Sequence, residues 1–168
     1  GRDARACALA PLNDEWREPL ERFAAFVNDL SAGQMEEAWQ KYRIMSPVPP
    51  KMPKSPFDPD PFEQFTKSIG RFPPDLESLS VVGERRFTAN SRKFTLTGDT
   101  RVGPIIVEVL IFRSGGEWFF GQVGYKAVTT ADAEWLRQFD DLFPAVRYGA
   151  TIPLTLPSAA ANMETTSR

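Results

Sequence analysis

The chain contains no histidine and only one cysteine, Cys7, in 168 residues. Without histidine it loses the commonest general base, the commonest zinc ligand and every nucleophile pair of the Ser-His or Cys-His kind. One cysteine allows neither an intrachain disulfide nor a CxxC redox pair. No metal or cofactor is therefore expected. Cys7 has no base near it in sequence and reads as an incidental thiol. In Ala4-Arg5-Ala6-Cys7 an arginine also stands where a lipidation signal wants a small residue. No stretch approaches the ~18 consecutive apolar residues of a membrane span, so none is expected. Runs of lysine or arginine are missing too, and with a net charge of −2 nucleic acid is not an expected partner.

What is present describes one globular domain. The length suits a single core that folds without metals or disulfides. Phenylalanine (13 copies) points to an aromatic core or pocket, and proline (15 copies) to rigid connecting segments. The chain opens on Gly1 rather than methionine. We read this as the mark of a removed leader, so export or a periplasmic location is the expectation, with a trimmed cytosolic protein as the alternative. The expected organisation is an arm over 1–12, one α+β domain over 13–147 with a proline-rich connection at 46–61, and a tail over 148–168.

Asn13 and Asp14 are helix N-cap residues. After them Trp16, Leu20, Phe23, Ala24, Val27 and Leu30 recur at helical spacing, with Arg17, Glu21, Arg22 and Asp29 off that face. Pro19 fits if it lies in the first turn. A break at Ser31-Ala32-Gly33 leads to a second helix with the stripe Met35, Ala38, Trp39, Tyr42. Seven prolines between Pro47 and Pro61 exclude a helix interior or a central strand and predict an extended connection with no regular ladder. Asp60 then caps a short helix carrying Phe62, Phe65 and Ile69.

From Leu76 the period becomes two. Four strands joined by short turns are expected within 78–126, forming an antiparallel meander. Among them Ile105 to Phe112 is β-branched enough to be central and covered on both faces. Ser114-Gly115-Gly116 makes a tight hairpin. A last helix over 130–143 carries Ala131, Trp135, Leu136, Phe139 and Leu142.

The helix from Trp16 to Leu30, the break at Gly33, the second helix with Glu37-Ala38-Trp39, and the strands ending in Gly115-Gly116-Glu117-Trp118-Phe119-Phe120 form an ordered pattern. This pattern resembles the NTF2-like (cystatin-like α+β) superfamily over residues 14–127. The resemblance implies a curved sheet wrapped around helices into a cone whose open end often holds a ligand pocket. Members include isomerases, dehydratases, polyketide cyclases, transport factors and many proteins without known activity. The proline segment and the last helix depart from that pattern. The lack of histidine removes members whose acid-base residue is a histidine. No catalytic motif of the family can be matched here, so none is carried over.

Glu108 is the first candidate for chemistry. It interrupts an apolar strand on the face of Ile106, Leu110 and Phe112, and a buried carboxylate must find partners or become protonated. It is read either as a general base or ligand anchor, or as a structural ion pair with Lys93, Thr95 or a neighbouring arginine. Hairpin register decides its surroundings. A three-residue loop sets Gln122 opposite it, with Trp118 and Phe120 as neighbours on the same face. A two-residue loop sets Val123 opposite, near Tyr125. Arg85, on the face of Leu79, Val81 and Phe87, is a countercharge, an anion hook or a solvated strand residue. The helical aromatics Phe23, Phe26, Trp39, Tyr42, Phe62 and Phe65 describe plain core or a pocket mouth.

The expected ligand pocket is therefore Glu108, Gln122, Tyr125, Arg85, Trp118 and Phe120. Three functions fit these features. The first is a non-catalytic binding domain for a small apolar ligand or a protein partner. The second is a subunit of a secreted complex, homodimeric through its sheet. The third is an isomerase or dehydratase with Glu108 as acid/base and Tyr125 or Arg85 polarising the substrate.

Overall fold

The Asn13 side chain accepts a hydrogen bond from the Glu15 backbone N–H at 3.1 Å, and Asp14 and Glu15 add negative charge to the first turn. That cap starts helix α1, Asp14–Ser31, in a computed structural model that describes residues 13–47, 55–69, 72–127 and 146–156, with the backbone alone for 146–152. The arm with Cys7, the middle of the proline-rich connection and the expected helix over 130–143 lie outside these residues.

The α1 stripe is buried as its spacing requires: Leu20, Phe23, Ala24 and Val27 have no exposed surface. Two residues depart from expectation. Pro19 lies in the second turn, buried, so it cannot give the Glu15 carbonyl its helical hydrogen bond. Asp29, expected on the wet face, is 6% exposed and pairs with Lys41 of the next helix. The helix ends in a Schellman arrangement, with Gly33 at φ 75°, its N–H bonded to the Leu30 carbonyl and the Gln34 N–H to that of Asp29. Helix α2, Met35–Met45, follows directly.

Near the end of the proline connection Ser55 and Asp58 close a turn, with the Ser55 N–H bonded to Asp58 Oδ2 at 3.1 Å. Asp60 then caps α3, Pro61–Ile69, through the Glu63 N–H. Phe65 is buried, while Phe62 and Ile69 are only half-buried.

The rest is an antiparallel sheet: β1 Leu76–Thr88, β2 Ser91–Thr100, β3 Gly103–Ser114, β4 Glu117–Ala127 and β5 Val146–Pro153, in the order β4-β3-β2-β1-β5. The first four strands are the expected meander. The β3–β4 loop is two residues, Gly115 (φ 60°) and Gly116 (φ 82°), the type I′ turn that only such residues form without strain. The fifth strand corrects the reading of a tail for the described residues 148–156, and 157–168 lie outside the described residues. It pairs with β1, and beyond it the Leu154 N–H bonds to the Leu79 carbonyl at 2.9 Å and the Thr155 N–H to Glu21 Oε2 at 2.6 Å. Pro153, which lacks an N–H, suits this edge position.

Breaks in register bend the sheet, three along β1 and one where β4 inserts Gln122 between Gly121 and Val123. The concave face holds the core. Ile105, Val107, Val109 and Ile111 point into it with no exposed surface. Trp16 meets Phe94 at 5.7 Å and Trp118 at 4.8 Å, and Phe23 meets Phe120 edge-on at 5.0 Å. Each such side chain contributes about 1.5–3 kcal/mol. The other face of β3 is not equally covered, contrary to expectation: Leu110 and Phe112 are half-buried, and only Ile106 is dry. The molecule is α+β, its helices preceding and packing on a curved antiparallel sheet. Among the described residues no helix is long and apolar enough to cross a membrane.

Candidate functional site

The six residues expected to form one site are divided by the sheet. Glu108 lies on the outer face, with Thr95 on one side and Gly124 on the other. Neither expected register survives. The hairpin loop has two residues, as one reading required, but the extra residue Gln122 shifts the far half of β4, so neither Gln122 nor Val123 faces Glu108. A bulge of this kind cannot be counted from the loop. Glu108 is 22% exposed and ion-paired with Lys93 of the neighbouring strand β2 at 3.2 Å. This is the structural pair among the readings of Glu108. Replacing it with glutamine is expected to cost no more than about 1 kcal/mol, with the loss fading as salt is added. A larger, salt-independent loss in urea unfolding would contradict this assignment.

Arg85 is also on the outer face, but not beside Leu79 and Val81. The register break between Val81 and Gly83 turns the second half of β1 over, leaving Arg85 exposed with its guanidinium 5.5 Å from the ring centre of an exposed Phe87. Tyr125, Trp118 and Phe120 belong to the core face. The Tyr125 hydroxyl donates to the Ile69 carbonyl, one of the orphan acceptors at the end of α3, and its ring meets Phe72 at 4.5 Å. Burial holds this hydroxyl above the ordinary tyrosine pKa. It is committed to holding α3 against β4, and it does not meet Glu108. Trp118 packs on Trp16 and carries the Arg113 guanidinium at 5.4 Å, while Arg113 also reaches Glu15 of α1 at 3.3 Å.

Two of the six, Phe120 and Gln122, do share a cavity. It is an open cleft of about 760 Å³ between α2, α3 and the bulged part of β4. Trp39 and Tyr42 form one wall, their rings nearly parallel with centres 5.9 Å apart. Phe65 and Phe120 contribute further aromatic surface, Gln64 and Ser68 of α3 form a second wall, and Gly121, Gln122 and Val123 form the third. From α3 the cleft is lined by Pro61, Gln64, Phe65, Ser68 and Ile69, and Phe62 and Phe65 also pack against Trp39.

Of the helical aromatics Trp39, Tyr42 and Phe65 line this cleft, whereas Phe23 and Phe26 are buried in the core. Gln64 and Ser68 carried no signal, since a polar helix face reads as solvated. No aspartate, glutamate, lysine or arginine is among the described residues that line the cleft. The described residues also hold no group of three or more histidine, cysteine, aspartate or glutamate side chains placed for a metal. What the cleft offers is aromatic surface, amides and hydroxyls. No protein-family model, curated protein or solved structure matches the chain.

Proposed function

We propose that this protein is a non-catalytic binding domain that holds a small, largely apolar, uncharged ligand in the cleft between α2, α3 and β4. The observation that carries this reading is the cleft itself: about 760 Å³, within the range of small-molecule sites, with stacked aromatic rings and no charged wall among the described residues. The resemblance to the NTF2-like superfamily supports it, since members of that family often keep a pocket where helices meet a curved sheet. A catalytic reading built on Glu108 lacks such support, because Glu108 does not line the cleft and its charge is matched by Lys93.

The test uses the neutral fluorophore N-phenyl-1-naphthylamine. It should bind saturably, and Gln64→Trp should weaken binding by roughly tenfold or more, because the indole fills the cleft from an exposed helix position. Glu108→Gln should leave the affinity unchanged. Binding that does not saturate, or that ignores the Gln64 substitution, would refute the proposal.

A further inference from the structure

We infer that the ligand of this cleft is a planar, uncharged ring compound with a hydrogen-bond donor and an acceptor side by side on one edge, as in a lactam. The inference rests on the binding role proposed above and adds to it the chemical class. Two primary amides line the cleft from different elements, Gln64 from α3 and Gln122 from the β4 bulge. Neither side chain forms a hydrogen bond with another described residue, whereas the Ser68 hydroxyl of the same wall already donates to the Phe65 carbonyl at 3.0 Å.

A glutamine amide presents one donor and one acceptor in a single plane, so its best complement is another planar pair of acceptor and donor. This is the bidentate logic by which glutamine reads an adenine edge. Gln122 is the extra residue of the β4 bulge, next to Val123, which stands opposite Val109 on the core side of the sheet. The Trp39–Tyr42 wall supplies the surface on which a flat ring lies. Charge completes the selection. An ionised ligand would lose hydration against aromatic rings and amides without gaining a countercharge from the described lining residues.

Four bicyclic probes of similar size separate these effects: naphthalene, isoquinolin-1(2H)-one, 1-naphthoate and 1-naphthylmethylamine, each competed against N-phenyl-1-naphthylamine. The lactam should bind about fivefold to tenfold more tightly than naphthalene, as one or two net hydrogen bonds would give. Both ions should bind more weakly than the lactam. The double variant Gln64→Leu, Gln122→Leu should bring the lactam to within about twofold of naphthalene, and naphthalene itself should bind no less tightly. Both positions are exposed, so folding should be unaffected, and a matching far-UV spectrum and urea midpoint would check this. Equal binding of lactam and naphthalene, or a preference that survives the double variant, would overturn the inference and leave the cleft reading in place. Failure of all four to displace the fluorophore while the fluorophore still responds to Gln64→Trp would also overturn it. Loss of the fluorophore response itself would sink both.

Discussion

Replacing Gly98 with alanine is expected to destabilise the protein by about 3 kcal/mol, read as a fall in the urea midpoint at unchanged slope. Gly98 lies in β2 opposite Leu79 and Ile105, and a Cβ placed there would stand 2.4 Å from the Ser78 carbonyl oxygen. It would also come within 3.2 Å of Leu79 Cδ1 and 3.3 Å of Leu76 Cδ1. The leucine methyls can rotate away. The carbonyl cannot, because it is backbone in a strand that passes from one register to another between Leu76 and Ser78. The clash must be relieved by separating β1 from β2, which opens the core at Leu79. Gly124→Ala is the control. No atom lies within 4 Å of a Cβ there, and the change should be neutral or slightly stabilising, by less than about 1 kcal/mol. Equal effects at the two glycines would show that strand propensity, and not the close approach at Ser78, sets the cost.

The second large effect concerns Arg92 and Glu84. Arg92 points into the core face between Arg86 and Ile111, its guanidinium 4.5 Å from the Trp16 ring centre and its Nη1 2.9 Å from Glu84 Oε2. The two side chains are 10% and 14% exposed, and the Arg92 Nε has no hydrogen-bond partner among the described residues. An ion this dry is held by one carboxylate and one π face. Glu84→Leu removes the carboxylate and strands the guanidinium, and should cost about 3 kcal/mol. Arg92→Met strands the carboxylate in turn and should also be costly. The double variant should return to within about 1 kcal/mol of the parent, because methionine can lie on the Trp16 ring and no charge remains buried. Thermal or urea unfolding of the four proteins gives the coupling directly. Additive single effects would show that the pair is solvated and contributes little.

The helices and the meander were legible because their signals are local. Asn13 caps, Gly33 permits a left-handed turn, and apolar residues recur at 3.6 or at 2, whatever lies elsewhere in the chain. The Gly115-Gly116 turn was legible for the same reason, as one of two loop lengths. The β5 strand was missed although Ile152, Leu154 and Leu156 alternate. Three short apolar positions around Pro153 form a strand only where an edge such as β1 is waiting for them.

The candidate site divided along the same line. That Trp39, Tyr42 and Phe65 are aromatic and helical followed from the sequence, and that Glu108 needs a partner followed from its apolar neighbours. Which residues face one another did not. Alternation carries a face along a strand only while the register is unbroken, and one extra residue inverts everything beyond it. The insertion at Gln122 separated Glu108 from its expected neighbours. The break after Val81 carried Arg85 to the outer face. Composition and periodicity determined that this chain folds as helices on an antiparallel sheet and has no histidine to offer. The bulges, whose position depends on how strands pack against helices and one another, decided which face Arg85 takes and what stands opposite Glu108, and the packing of α2 and α3 beside β4 decided which residues line the cleft.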